Sequence, residues 1–138
     1  MIILDTNVVS ALMRNVPELV VAKWLDRQPA SSIWTTSITV LEIQVGLRSM
    51  PAGKKQSFLS EGFEELMKRI QHRVAVFGEE SARLAAELTA ERQKKGRVGE
   101  VRDTMIAGIV LTHDARLATR NTSHFDDVEA VVINPWTA

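Results

Sequence analysis

The sequence predicts an α/β protein in which helices cover both faces of a central, mostly parallel sheet of four to five strands. Short apolar runs alternate along the chain with longer segments whose apolar residues recur at helical spacing. This alternation is typical of strand–helix–strand units, which form parallel sheets. The first run, residues 1–4, is apolar at every position, as in a strand buried on both faces. We therefore expect an α/β/α sandwich.

The first half of the chain carries the next strand and three helical segments. Residues 8–14 and 17–28 show helical spacing, and Pro17 suits a first helical turn. Residues 31–37 have the length and composition of a short strand. Residues 38–50 are apolar over most of their surface, which predicts a well-buried helix.

The second half continues the same alternation. A long segment of mixed polar and apolar residues, 54–70, precedes a compact strand at 73–78. Residues 79–95 predict a helix that Gly96 ends. Its inward-facing residues are expected to be Ala82, Leu84, Ala85 and Leu88. The remaining predicted elements are an apolar helix at 104–113, a strand that begins at residue 115 and ends near Thr119, and a strand at 129–135.

Composition indicates a folded protein, with 45% hydrophobic and 25% charged residues. At 138 residues we expect one domain spanning residues 1–138. The chain has no Cys, which excludes disulfides and thiolate metal sites. It shows no signal-peptide pattern and no apolar run near the ~20 residues that a membrane span needs. We expect a cytoplasmic protein without membrane contact.

Positive and negative charges balance, with 17 basic and 17 acidic residues. Any attraction for a polyanion must therefore be local. Basic residues cluster at 53–55, 68–73 and 92–97, and each cluster is expected to be a solvated helix surface.

Three carboxylates interrupt apolar runs near the starts of predicted helices: Asp5, Glu42 and Asp103. Each has a structural explanation. Asp5 can cap a helix, Glu42 has the spacing of a capping box with Thr39, and Asp103 can complement a helix dipole. However, parallel strand ends and the helix starts that follow them meet at one edge of such a sheet. The three acids could therefore converge there.

Convergence would have a chemical consequence. Three carboxylates without a buried counter-charge repel one another, and a divalent cation relieves that repulsion. Oxygen ligands without Cys suit Mg²⁺ or Mn²⁺ better than Zn²⁺. Such a site can hold a phosphodiester and activate water, which suggests hydrolysis of a nucleic-acid backbone.

Four segments together resemble the PIN-domain family, of the VapC and FitB type of toxin–antitoxin ribonucleases. They are "MIILDTNVVS" at the start, "SITVLEIQVGL" at 37–47, "RDTMIAGIVLTH" at 102–113, and "LATRNTSHF" followed by "VVINPW". The resemblance covers essentially the whole chain. It implies a Mg²⁺- or Mn²⁺-dependent endoribonuclease toxin that cleaves RNA with metal-activated water. It also implies a homodimer inhibited by a cognate antitoxin, within a larger assembly that contacts DNA only through the antitoxin.

Carried over residue by residue, the resemblance places Asp5, Glu42 and Asp103 on the metal-binding acids of the family. The fourth catalytic position departs from the pattern, because many relatives have an acid where this chain has Asn121. Asparagine offers a neutral oxygen, which puts a second metal ion in doubt. Asp126 could substitute, although a solvated turn explains it more simply.

Three polar residues beside these positions are candidates for substrate binding. Thr6 and Asn7 follow the first acid, where they can also orient it, and Arg120 precedes Asn121, where it can contact the RNA backbone. The three histidines are expected to be surface or packing residues rather than metal ligands; they are His72, His113 and His124. Trp24 and Leu25 are expected in the core.

Two other functions remain open at this point. A phosphatase with an aspartyl nucleophile usually needs a second acid two residues later, where this chain has Asn7. A catalytically weak or inactive PIN-fold module would act by binding nucleic acid or protein, and the amide at Asn121 gives this alternative weight. Three acids in apolar surroundings argue against it, because they would destabilise the fold without a cation.

Overall fold

The computed structural model describes residues 1–14, 16 and 18–138, and within them the chain forms a five-stranded sheet and six α-helices. The strands are β1 (Ile2–Leu4), β2 (Ile33–Thr36), β3 (Val74–Ala75), β4 (Arg116–Ala118) and β5 (Val132–Ile133). The helices are α1 (Thr6–Leu12), α2 (Leu19–Asp26), α3 (Ser37–Arg48), α4 (Lys54–Arg69), α5 (Glu79–Lys94) and α6 (Val101–Thr112). Pro17, expected in the first turn of the second helix, lies outside the described residues. Across the described residues, no helix combines the length and hydropathy of a membrane span.

All strand pairs are parallel, in the order β3-β2-β1-β4-β5. The first strand therefore lies in the middle of the sheet, between β2 and β4. The chain adds β2 and β3 on one side of β1 and then crosses to the other side of β1, where it adds β4 and β5. At such a switch point the loops after the two central strands diverge and leave a crevice, which is where open α/β sheets bind ligands. Here the crevice lies beyond Leu4 and Ala118.

Two hydrophobic clusters cover the two faces of the sheet, so the predicted α/β/α sandwich is confirmed. Side chains alternate across β1, with Leu4 in one cluster and Ile3 in the other. The first cluster includes Trp24 and Leu25, each 3% exposed, as expected of core residues. The second cluster packs α6 against the sheet through Ile106. Each large side chain buried in this way contributes about 1.5–3 kcal/mol to stability.

Close packing of α5 against α6 fixes the helix that carries Asp103. A Cβ on Gly108 would lie 2.4 Å from the carbonyl oxygen of Ser81, so only glycine allows this approach. The hydroxyls of Ser81 and Thr112 hydrogen bond at 2.8 Å across the same interface. Ser81 is buried and Ala82 is exposed, so the prediction that Ala82 faces inward was wrong by one position.

Two predicted boundaries also require correction. Helix α3 begins after Thr36, whose hydroxyl accepts a 3.1 Å hydrogen bond from the backbone N–H of Thr39. The predicted capping box of Thr39 and Glu42 is therefore wrong, because β2 extends to Thr36 and the turn comes earlier. The last strand is shorter than residues 129–135, because the chain turns through residues 126–130 before it joins the sheet.

Candidate active site

Asp5 lies at the carboxyl end of β1 and is 3% exposed. Its backbone N–H donates to the carbonyl of Ala118 at 2.9 Å, which holds it beside β4. Its Oδ1 accepts from the backbone N–H of Thr6 at 2.8 Å, so Asp5 caps α1. Its Oδ2 accepts from the Thr119 hydroxyl at 2.7 Å and from the Asn7 side-chain amide at 3.3 Å. The capping interpretation is thus correct, and the carboxylate also faces the crevice.

Burial raises the pKa of Asp5 to about 6, because desolvation disfavours the charged carboxylate. Hydrogen bonds from Thr119 and Thr6 act in the opposite direction, since they stabilise the charge. The negative charges of Asp103 and Glu42 raise the pKa further. Burial and the repulsion from Asp103 and Glu42 thus both disfavour the charged form of Asp5, and a bound cation would favour it.

Glu42 projects from α3 with a partly buried side chain. Its Oε1 accepts a 2.8 Å hydrogen bond from the hydroxyl of Thr6, which itself contacts the hydroxyl of Thr39 at 3.0 Å. Its Oε2 lies 3.8 Å from the guanidinium of Arg102. Glu42 is thus held between a hydroxyl and a cation that the sequence did not reveal.

Asp103 lies in the first turn of α6, as the sequence predicted. Its backbone N–H donates to the side chain of Glu100 at 2.9 Å, so Glu100 caps the helix. Its Oδ2 lies 2.8 Å from Nδ1 of His124. His124 is half-exposed, as expected of a surface residue, but it contacts a candidate site acid that no sequence pattern linked to it.

One cavity of about 480 Å³ brings these groups together at the switch point, and we call it the acidic cavity. Its polar lining includes the three acids together with Asn121, Thr6 and Asn7. Its apolar lining includes Met13, Ile43, Leu47, Met50 and Leu59. Residues that are far apart in the sequence therefore share one wall.

The fourth candidate position lies in the loop after β4. The backbone N–H of Asn121 donates to the Thr119 hydroxyl at 3.0 Å, and the N–H of Arg120 donates to Oδ1 of Asn7 at 3.0 Å. These bonds tie the loop to the residues around Asp5. The guanidinium of Arg120 stacks over the ring of Trp136, 4.9 Å from its centroid, and Arg120 is not among the residues that line the cavity.

Asp126 and the other two histidines lie apart from the cavity wall. Asp126 forms an ion pair with Arg97 at 2.7 Å, which fits the predicted solvated turn. His72 and His113 are exposed, and neither lines the acidic cavity.

The chemistry of the donor set fits a hard divalent cation, because carboxylate and amide oxygens are the ligands that Mg²⁺ and Mn²⁺ prefer. In the described part of the chain, no three His, Asp or Glu side chains are close enough together to hold one ion in their present conformations. Two of the acids have partners that the sequence analysis did not anticipate, since Arg102 contacts Glu42 and His124 contacts Asp103. The side chains of both partners are about half-exposed.

A buried arginine, Arg92, connects elements that carry residues of the site. Arg92 on α5 is 3% exposed and forms a two-pronged ion pair with Asp127, with both distances at 2.8 Å. It also donates to the hydroxyl of Thr104 at 3.0 Å and to the carbonyl of His124 at 2.9 Å. Arg92 therefore links α5, α6 and the loop of His124. The expectation that the cluster at 92–97 is solvated is wrong for this residue.

Comparisons with known proteins agree along the whole length of the chain. A family model described as PIN domain matches residues 2–131. VapC ribonuclease Y4jK of Sinorhizobium fredii is 36% identical over 137 residues, which cover 99% of this chain and 98% of that protein. Toxin FitB of Neisseria gonorrhoeae is 32% identical over 137 residues, which cover 99% of both. The structure of FitAB bound to an IR36 DNA fragment matches with a TM-score of 0.88 and 32% identity, covering 99% of this chain and 96% of that one.

Proposed function

The chain belongs to the PIN-domain family, and from this membership we propose that it is a divalent-metal-dependent endoribonuclease and the toxin of a toxin–antitoxin pair. The observation that carries the proposal is the shared cavity wall formed by Asp5, Glu42 and Asp103 at the switch point of the sheet. The names of the relatives, a VapC ribonuclease and a FitB toxin, support the same activity.

In this proposal Asp5 and Asp103 hold a Mg²⁺ or Mn²⁺ ion, with Glu42 as a third ligand or as the acceptor for a coordinated water. When bound, such an ion lowers the pKa of water and offsets the negative charge of a phosphodiester. The protein's own contribution is orientation. Thr119 and the Thr6 backbone N–H fix the rotamer of Asp5, and the Thr6 hydroxyl fixes Glu42. Asn121 supplies a neutral oxygen in the fourth position.

The substrate in this proposal is single-stranded RNA, bound through its backbone at the mouth of the cavity. Arg120 is suited to contact a phosphate, because its guanidinium is held against Trp136 and, among the described residues, no carboxylate forms an ion pair with it within 4.0 Å. Asn7 and Thr6 line the same wall and are candidates for hydrogen bonds to the substrate.

Cleavage of labelled single-stranded RNA with Mg²⁺, with Mn²⁺ and with a chelator tests the activity. We expect hydrolysis only with a divalent ion. Asp5→Asn should lower the rate about 100-fold or more, since loss of an outer partner alone typically costs 10–100-fold. Asp114→Asn is the matched control, because this exposed aspartate lies outside the acidic cavity. Equal rates for both variants would contradict the proposal.

We also propose a homodimer and a cognate antitoxin as partners. The structure of FitAB bound to a DNA fragment supports an assembly of this kind. In our proposal this chain contacts DNA only through the antitoxin. Leu41 and Val45 on α3 are 50% and 46% exposed, which suits a protein interface. Light scattering of the purified chain, alone and after co-expression with the product of an adjacent gene, tests both partners.

A second candidate is a PIN-fold module that binds RNA without cleaving it. The contacts of Arg102 with Glu42 and of His124 with Asp103 favour this alternative, because they give both acids a partner without a metal ion. RNA binding that a chelator leaves unchanged, with no cleavage at any divalent-ion concentration, would support it. Hydrolysis of a small phosphomonoester instead of RNA would indicate a phosphatase.

A further inference from the structure

A second cavity opens beside the acidic one, between α1 and the start of α4. It has a volume of about 680 Å³ and is lined by Ser10, Arg14, Lys54, Lys55, Phe58 and Leu59. Ser10 and Leu59 line the acidic cavity as well, so the two cavities form one continuous surface. We propose that this second cavity, the basic groove, binds the nucleotides that flank the cleaved phosphodiester of single-stranded RNA. The inference rests on the proposed function.

The charges of the basic groove point to a polyanion. Lys54 and Lys55 are exposed, and among the described residues neither forms an ion pair within 4.0 Å, whereas Lys94 lies 3.6 Å from Glu91. Arg14 is partly neutralised, because its guanidinium lies 2.7 Å from Glu18. The net charge of the chain is zero, so two uncompensated lysines create a local attraction for phosphates.

Phe58 gives the basic groove a surface on which a base can stack. The buried apolar residues of α4 are Phe63, Leu66 and Met67, which face the core. Phe58 lies outside that buried set and is 46% exposed. An exposed aromatic ring beside cations is the combination with which proteins hold single strands without reading their sequence.

Continuity with the acidic cavity argues for RNA rather than for a protein segment. A strand whose scissile phosphate lies near Asp5 must leave the acidic cavity through a surface that accepts further phosphates. Leu59, which lines both cavities, joins the acidic cavity to the basic groove, where Lys55 supplies a charge and Phe58 a stacking surface.

Binding of a labelled single-stranded oligoribonucleotide, measured by fluorescence anisotropy in a chelator, tests the groove without cleavage. We expect Lys54→Gln with Lys55→Gln to weaken binding about tenfold. The salt dependence should also fall, by about 0.7 in slope for each lost phosphate contact. Phe58→Leu keeps an apolar side chain and should weaken binding about fivefold or more. Lys94→Gln with Lys95→Gln is the matched control and should bind as the unmodified chain does.

A small chromogenic phosphodiester separates this inference from the proposed function, because it reaches only the acidic cavity. Unchanged hydrolysis of this diester by the lysine variant, with weaker RNA binding and slower RNA cleavage, would support the groove. If RNA is cleaved but the lysine and Phe58 variants bind it normally, the basic groove does not bind RNA and the inference is wrong. The proposed ribonuclease activity would not be affected by that result. If these variants keep RNA affinity but lose a co-expressed protein partner, the groove is a protein interface and the inference fails. Absence of any hydrolysis, with normal RNA binding by the unmodified chain, would overturn the proposed function instead.

Discussion

The hydroxyl of Thr119 donates a 2.7 Å hydrogen bond to Oδ2 of Asp5, although the two residues are 114 positions apart. The bond joins the ends of β4 and β1, which are neighbours because the sheet reverses its order between them. Since the bond stabilises the charged carboxylate, it offsets part of the burial that raises the pKa of Asp5.

Replacement of Thr119 by Val should raise the pKa of Asp5 above about 6. A hydrogen bond to a charged group contributes about 1.5–3 kcal/mol, which corresponds to a rise of about one pH unit or more. The measurement is an NMR titration of the Asp5 carboxyl carbon. Thr119→Ser keeps the hydroxyl and should leave the titration almost unchanged. The same midpoint in all three proteins would show that the hydroxyl does not control the charge of Asp5.

Asp5→Asn should stabilise the metal-free protein near pH 8 and destabilise it by about 1–2 kcal/mol near pH 4, where the carboxyl carries no charge and the variant still lacks its hydrogen bonds. The pKa of Asp5 rises from 3.8 to about 6 on folding, so the folded state binds more protons between these values and stability falls as pH increases. Above pH 6 the buried charge of Asp5 lowers the stability of the unmodified chain by up to about 3 kcal/mol. Loss of hydrogen bonds in the variant reduces its net gain in stability to about 1–2 kcal/mol. Urea unfolding at both pH values measures it. A variant that is less stable than the unmodified chain at pH 8 would contradict the assigned desolvation.

Local patterns account for the parts of the site that the sequence predicted. Asp5 follows a run that is apolar at all four positions, and Asp103 precedes another apolar run, so each marks a boundary between elements. Parallel strand order then brings such boundaries together. The partners of these acids depend on side-chain packing between distant segments, and for this reason Arg102 and His124 were not predicted as partners.

The burial of Arg92 could have been predicted from the spacing of residues along α5, but the surrounding basic cluster favoured the opposite interpretation. Ala85, Leu88 and Arg92 are spaced by three and four residues, which places all three on the inward face of α5. The three other basic residues of its cluster favoured a solvated surface instead, and only the tertiary contact with Asp127 explains the burial.

Arg102→Gln should strengthen Mn²⁺ binding about two- to fivefold. The guanidinium of Arg102 lies 3.8 Å from Glu42 and is half-exposed, so the pair is weak and its charge competes with a divalent ion for the same carboxylate. Calorimetry of Mn²⁺ binding gives the comparison. Arg116→Gln, at the opposite end of the central strands, is the control and should bind like the unmodified chain. Weaker binding by Arg102→Gln would mean that the arginine supports the site.

Arg92→Met should destabilise the fold by about 3–5 kcal/mol, because it leaves Asp127 with only the longer contact to Arg97, at 3.6 Å, among the described residues and removes the donor to the carbonyl of His124. Adding Asp127→Leu should recover part of this loss. Arg92 holds the pKa of Asp127 below its usual value, so the pair stabilises the fold above about pH 4 and loses that contribution as pH falls through the lowered pKa. Urea unfolding at neutral and acidic pH tests both statements. An equal loss at both pH values would contradict the charge-based explanation.

Asn121→Asp should strengthen Mn²⁺ binding about tenfold, because it adds a negative charge to the wall that Asp5 and Asp103 share. Without metal the same charge should raise the pKa of Asp5 further, since like charges disfavour ionisation. Calorimetry and the carboxyl titration measure the two effects on one variant. Gln93→Glu makes the same amide-to-acid change on the exposed surface of α5 and should alter neither quantity. A shift in the Asp5 titration without tighter Mn²⁺ binding would contradict the prediction. It would mean that residue 121 lies near the acids but does not bind the metal. The neutral side chain of Asn121 would then be expected to contact the substrate.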